Sequence, residues 1–213
     1  MFSKIWSSTA FVAAELLILS ILIPSVIFFF KLAPYILFIL WAILVYTILV
    51  YRYVGSRQEI VVKFDLRTVV VVVCRWVVAT IILLILVYQV FPDKLFIIQE
   101  NNPGLIWKIL IFYPIFSALP QEFIFCKFFF HRYRCFFGDG VLMVAMSAFA
   151  FCVAHILFLN WVAPILGLMA GILFANTYMK TRSLAMVALE HSLYGNALFA
   201  LGLGWYFWGG SVA

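Results

Sequence analysis

The sequence predicts an all-α integral membrane protein with about seven transmembrane helices in one bundle and a polar site among the last four. Of its 213 residues, 68% are hydrophobic and only 10% are charged. Soluble domains have roughly 45–50% apolar and about 25% charged residues, so this composition excludes a soluble fold. Apolar stretches long enough to cross a bilayer as a helix recur along the chain. Basic residues cluster in alternate loops, which is typical of membrane proteins.

Hydrophobic windows place the helices in order along the chain. The predicted spans are residues 10–30, 34–51, 69–91, 105–130, 141–158, 162–180 and 183–208. We interpret the first as a true span rather than a cleaved signal peptide, because its apolar core is long and Lys31 leads straight into the next span. Residues 91–104, which contain proline and asparagine, predict a turn-rich loop between the third and fourth spans.

The positions of the basic residues predict how the bundle lies in the membrane. The net charge is +6, and its excess lies in alternate loops, as expected for one cytoplasmic face. We therefore expect a cytoplasmic N-terminus, an outer C-terminus, and membrane lipid rather than nucleic acid as the partner. The basic residues around the three loops are Arg52, Arg57, Lys63, Arg67 and Arg75, then Lys127, Arg132 and Arg134, then Lys180 and Arg182, and Lys4 precedes the first span.

Three ionisable residues lie inside the predicted spans of the second half, where a charged group costs about 2.5 kcal/mol or more. Glu122 occurs in the string PQEFIFCK, His155 in FCVAH and His191 in EHSLYGN. At ~1.5 Å per residue, they lie roughly 13, 20 and 12 Å from the cytoplasmic ends of their helices. The depths predict a shared site in the cytoplasmic half of the bilayer. We interpret Glu15 and Arg75, in the first three spans, as near-interface or packing residues.

Two prolines precede the carboxylate in the fourth span. Pro114 and Pro120 predict a kinked helix, with Pro120 as the first residue of a new helical segment just before Glu122. In the fifth span, Phe151 lies one turn before His155 on the same helix face. In both spans a polar side chain thus lies in a helix that would be uniformly apolar if it faced only lipid.

A glutamate and two histidines support two chemistries. The glutamate can act as a general base on water while the histidines stabilise the oxyanion. Alternatively, the three side chains can bind a catalytic zinc with one open position, although no HExxH string is present. The cysteines form no CxxC pair, so we predict neither a disulfide framework nor a zinc–thiolate site. They are Cys74, Cys126, Cys135 and Cys152.

These strings resemble the motifs of the CAAX prenyl endopeptidase and bacteriocin-processing (CPBP) family of intramembrane proteases. The family motifs are EExxxR, FxxxH and HxxxN or HxxxD on successive core helices, and they map to residues 121–126, 151–155 and 191–195. The resemblance covers about residues 115–208. It implies variable N-terminal helices over residues 1–104 and a protease core over residues 105–213, in a single structural domain overall.

The resemblance also implies roles for individual residues. Glu122 activates water, the two histidines position it or stabilise the oxyanion, and an asparagine assists. The implied catalytic residues are Glu122, His155, His191 and Asn196, and the implied binding residues are Gln121, Phe151 and Tyr194. If the site is metal-dependent, the ligands are Glu122, His155 and His191.

Three positions depart from the family pattern. Gln121 replaces the first glutamate, while the second, Glu122, is the one that the resemblance implies to activate water. Cys126 stands where the arginine is expected, one turn from Glu122, and the neighbouring Lys127 points about 100° away from it. Gly195 stands where asparagine or aspartate is expected, and Asn196 follows one residue later. A π-bulge near Gly195 would turn Asn196 back into the site.

We therefore expect a hydrolase, an intramembrane endopeptidase of the glutamate-activated-water type that cleaves a membrane-associated peptide or protein. We expect no cofactor, with zinc as the alternative, and a bacterial inner membrane as the location. The other function left open is a catalytically weakened CPBP member that binds a membrane partner or gives immunity to bacteriocins. A proton-relay transporter is a third reading, which the lack of internal repeats disfavours.

Overall fold

The computed structural model describes residues 6, 8–54 and 65–207, and this part of the chain is helical without any strand. Short 3₁₀ turns at Pro92–Lys94 and Leu203–Phe207 accompany the helices. In chain order the helices are α1 (Thr9–Phe29), α2 (Ala33–Val54), α3 (Leu66–Val90), α4 (Ile97–Asn101), α5 (Pro103–Arg132), α6 (Arg134–Phe137), α7 (Val141–Ile156), α8 (Val162–Thr181) and α9 (Leu184–Ala200).

Within the described residues, five helices are long and apolar enough to cross a membrane, namely α1, α2, α3, α5 and α8. Helix α7 is apolar but has only 16 residues, and α9 has 17. The class of the fold, an all-α integral membrane protein, is as expected. The number of seven spans and the orientation in the membrane stay predictions, and Lys4, Arg57 and Lys63 lie outside the described residues.

Helix α5 is continuous but changes its hydrogen-bonding pattern twice. A π-helical segment covers Pro114–Ala118, one α-helical turn covers Leu119–Glu122, and a second π-helical segment covers Phe123–Phe128. The prediction that a new helical segment begins at Pro120 is therefore wrong in detail, because the α-helical turn begins at Leu119 within a continuous helix. The chain absorbs the prolines, which lack an N–H donor, by widening the helix rather than by interrupting it. Glu122 lies at the junction of the α-helical turn and the second π-helical segment.

The second half of the bundle is held together by close approach of small residues and by aromatic packing. A Cβ on Gly171 of α8 would lie 3.0 Å from the Cα of Ala148 on α7, so the two backbones nearly touch. Phe128, Phe130 and Tyr178 are almost completely buried around this contact. This packing fixes α5, α7 and α8 relative to one another.

Helix α3 contacts the second half of the bundle, although most of its surface faces outward, where lipid can reach it. Its buried residues are Val72 and Val87. Asp65 caps its first turn by accepting a hydrogen bond from the backbone N–H of Arg67, at 3.1 Å. Halfway along, the indole of Trp76 donates to the backbone carbonyl of Leu193 in α9 at 2.9 Å. Helix α3 is thus tied to α9 by a polar contact.

Candidate functional site

The centre of the candidate site is a direct contact between α5 and α9. Nδ1 of His191 lies 2.7 Å from Oε1 of Glu122, and their side chains are 6% and 1% exposed. An ionised carboxylate only accepts hydrogen bonds, so the imidazole donates through Nδ1. The structure therefore brings two of the three sequence-predicted ionisable residues together.

Tyr113 is the partner of His191 on its other side. The Tyr113 hydroxyl lies 2.8 Å from Nε2 of His191. Because Nδ1 carries the proton of the neutral ring, Nε2 accepts and the hydroxyl donates. Sequence reasoning missed Tyr113, and its one signal was a phenolic hydroxyl next to Pro114 inside an apolar span.

The ring of Tyr113 also explains the glycine at position 195. A Cβ built on Gly195 would overlap Cε1, Cζ and the hydroxyl oxygen of Tyr113. The tyrosine thus occupies the space in which a side chain at position 195 would begin. Where the family pattern expects asparagine or aspartate, a hydroxyl from α5 approaches His191 instead.

His155 lies beside this pair without a direct hydrogen bond to it among the described contacts. Its Nδ1 is 2.7 Å from the Phe151 carbonyl, so Nδ1 donates and Nε2 is left as an acceptor. The Phe151 ring contacts both imidazoles, with centroid distances of 4.5 Å to His155 and 5.6 Å to His191. Both histidines and Tyr113 line one cavity of about 40 Å³.

Asn196 is turned away from Glu122 and His191. Helix α9 is a regular α-helix from Leu184 to Ala200, so the π-bulge expected near Gly195 is wrong. The Asn196 amide instead donates to the Leu110 carbonyl of α5 at 3.2 Å, a contact that the regular helix permits.

The three residues implied to bind substrate lie around the cavities. The Gln121 amide donates to the Ser117 hydroxyl at 2.8 Å. Tyr194 lines the small cavity and packs edge-on against Phe174, with ring centroids 5.9 Å apart. Phe151 separates the two imidazoles. A catalytic or binding role for these residues stays a prediction.

A metal ion does not fit the side chains as they are arranged. No group of three or more His, Cys, Asp or Glu residues that could hold one occurs in the part of the chain that the structure describes. Glu122 and His191 are turned toward each other, and Nδ1 of His155 is bound to its own helix. The alternative ligand set of Glu122, His155 and His191 is therefore not assembled as a metal centre.

A second buried carboxylate lies next to the site. Glu190 is fully buried, and Arg75 of α3 forms an ion pair with it, with Nη2 at 2.8 Å from Oε1. Arg75, which the sequence suggested to be a near-interface or packing residue, reaches with its long side chain from a lipid-exposed helix into the bundle. Cys126, at the position where arginine was expected, is buried close to both Glu122 and Glu190.

A larger apolar cavity of about 350 Å³ lies between α1, α2, α5 and the end of α7. Its polar lining includes Tyr113, Gln121 and His155. Tyr113, His155, Phe199 and Phe207 also line the small cavity, so the two cavities share walls. An apolar chamber thus lies directly beside the polar site.

Comparison with known proteins gives one match. The family model described as type II CAAX prenyl endopeptidase Rce1-like matches residues 103–198. The matched stretch contains Glu122, His155 and His191 and runs from α5 into α9, and it confirms the resemblance to the CPBP family. No curated protein and no solved structure matches the chain.

Proposed function

Because residues 103–198 form a domain like the type II CAAX prenyl endopeptidases, we propose that this membrane protein is an endopeptidase in which Glu122 activates water. The observation that carries the proposal is how the two oxygens of the Glu122 carboxylate are hydrogen-bonded. Oε1 is held by His191, while Oε2 is buried without a hydrogen bond of good geometry among the described residues, and the Cys126 thiol lies close to the carboxylate. Buried polar atoms are rarely unpartnered, and an orphan often has a functional reason.

In the proposed reaction, Oε2 of Glu122 takes a proton from water while the water oxygen attacks the carbonyl carbon of a peptide bond. The carbonyl oxygen becomes an oxyanion. When the C–N bond breaks, the proton held by Glu122 passes to the leaving amine, and a carboxylic acid and an amine result. The side chains supply a base, an orienting group and hydrogen-bond donors.

Three side chains support Glu122 in this scheme. His191 orients the carboxylate through its Nδ1 hydrogen bond. His155 offers Nε2 as an acceptor that positions water, since its Nδ1 proton is engaged by the Phe151 carbonyl. The Tyr113 hydroxyl, which donates to Nε2 of His191 in the resting site, turns its proton to the oxyanion when substrate is bound, because position 195 has no side chain and Asn196 faces Leu110.

The large cavity supports an apolar, membrane-embedded substrate segment. Its lining is mostly aliphatic and aromatic, and its polar residues lie at the wall shared with the small cavity. A peptide segment in this chamber would present its backbone to Tyr113 and His155 while its side chains remain in apolar surroundings. We place the protein in a bacterial inner membrane, with its N-terminus in the cytoplasm.

Substitution of the base tests the proposal. The full chain is reconstituted in liposomes with a library of fluorogenic transmembrane peptides, and cleavage is followed over time. Glu122→Gln is expected to lower the rate about 100-fold or more, as loss of a general base does. Glu100→Gln, the same change on the exposed surface of α4, is expected to leave the rate unchanged. Undiminished cleavage by Glu122→Gln would refute the assignment.

A second candidate function is a catalytically weakened member that binds a membrane peptide or gives immunity to a bacteriocin. Cys126 in place of arginine favours it, and so does the engagement of both His191 nitrogens by Glu122 and Tyr113. This reading predicts that Glu122→Ala accumulates normally and still protects cells from a membrane-active peptide. Loss of protection at normal protein levels would argue against it.

A further inference from the structure

Helix α3 lies outside the matched domain, yet it sends one charged side chain into the bundle. The Arg75 side chain is 33% exposed, whereas that of Glu190, its partner, is fully buried. The same guanidinium nitrogen, Nη2, donates to the Thr177 hydroxyl of α8 at 2.9 Å. Arg75 thus connects α3 to both α8 and α9 at one point.

Glu190 depends on this ion pair for compensation of its charge. Among the described residues, Arg75 is the cation paired with Glu190, and the neutral Thr177 hydroxyl lies beside the carboxylate. Removal of one partner of a buried ion pair leaves an uncompensated charge in the bundle and destabilises a protein strongly.

Two cations of the matched domain already interact with other residues. Lys127 lies over the Tyr51 ring, 5.3 Å from its centroid, and Arg132 pairs with Glu15 at 2.5 Å. Arg75, by contrast, lies at about the same depth in the bundle as Glu122. It is ~14 Å along α3 from Leu66, while Glu122 is ~15 Å along α5 from its last residue.

We propose that Arg75 is a positioning residue, the counter-charge of the buried Glu190 carboxylate that holds α9 in register with α3 and α8. It is supplied by a helix outside the matched domain, since Cys126 occupies the place beside the carboxylates of Glu122 and Glu190. Through Glu190 it acts on the adjacent His191 and thereby on Glu122. Arg75 is not among the residues that line either cavity, so it acts without touching substrate.

The catalytic part of this inference rests on the proposed function, and a stability measurement separates the two. Arg75→Met is expected to lower kcat at least 10-fold with KM within twofold, and to lower the SDS concentration at which the protein unfolds. Arg75→Lys keeps the charge and is expected to rescue part of both losses. Arg67→Met, at an exposed position on the same helix, is the matched control and is expected to change neither.

Two double variants decide the role of the charge. Arg75→Met with Glu190→Gln removes a cation and an anion together, and is expected to recover both the unfolding midpoint and kcat. Arg75→Met with Cys126→Arg returns the cation from α5 and is expected to recover kcat. If Arg75→Met fails to fold, folding of the double variants would show that the missing counter-charge is the cause. Double variants no better than the single one, or a single variant equal to wild type, would overturn the proposal.

If Glu122→Gln proves fully active, the proposed chemistry fails, but the midpoints of the same variants still test the ion pair. A recovered midpoint without any cleavage activity would support the counter-charge alone. An unrecovered midpoint would refute it. The two failures are therefore distinguishable.

Discussion

Replacement of Gly195 by alanine measures how tightly Tyr113 is held against His191. In an open helix interior, glycine to alanine stabilises by roughly 0.5–1 kcal/mol. At position 195 the new methyl group would overlap the Tyr113 ring, so the ring has to move. Overpacking costs about 1–3 kcal/mol and the lost Tyr113–His191 hydrogen bond about 1 kcal/mol. The net expectation is a destabilisation of about 1–3 kcal/mol, because the clash outweighs the gain in helix propensity.

The sign of this effect depends on the tyrosine. In a Tyr113→Ala background the space is free, and Gly195→Ala is expected to stabilise relative to that background by up to ~1 kcal/mol. The free energy of unfolding is measured by SDS titration in detergent micelles. Gly104→Ala is the control, because its methyl group would find only Asn102 Oδ1 at 3.8 Å. Equal destabilisation by Gly195→Ala in both backgrounds would refute the role assigned to Tyr113.

Two further predictions concern stability. Glu15→Ala leaves Arg132 as an unpaired charge in the bundle and is expected to cost about 3–5 kcal/mol, while removal of both charges is expected to cost far less in the same SDS titration. Gly202 has φ +87° and its Cβ would overlap the Lys94 carbonyl, so Gly202→Ala is expected to speed hydrogen exchange in the turn around Lys94. Gly138 combines φ +66° with ψ −149°, a backbone region that is essentially restricted to glycine, so Gly138→Ala is expected to cost about 1–3 kcal/mol although its surroundings are open. Equal exchange rates in the two glycine variants would contradict the role of the Lys94 contact.

The contact between Glu122 and His191 was within reach of sequence reasoning because charged groups inside apolar helices need each other. Their similar depths predicted that they meet, and they lie 2.7 Å apart. His155 was expected deeper and lies across Phe151 from the pair. Hydropathy also predicted the helical membrane class, since runs of about 20 apolar residues are typical of transmembrane helices, whereas the strands of membrane barrels alternate between apolar and polar residues.

The roles of Tyr113 and Arg75 could not be predicted from the sequence, for different physical reasons. A tyrosine in an apolar helix is unremarkable in sequence, and only the packing of α5 against Gly195 shows where its hydroxyl goes. Arg75 was counted with a cytoplasmic loop because hydropathy locates the ends of a span poorly. The π-helical segments depend on the same tertiary contacts, so the prolines indicated a disturbance without its form.

The polar ties of α1 and α3 to the second half bear on how this chain can evolve. Residues 103–198 resemble a known domain, yet Arg132, Glu190 and the carbonyl of Leu193 take their partners from helices that precede it. Joining the matched stretch to other N-terminal helices would strand two buried charges. We therefore expect a change at Glu15 or Arg75 to be tolerated only together with a compensating change across the bundle. The family model matches from residue 103, whereas the buried ion pairs of the matched stretch reach back to the first helix.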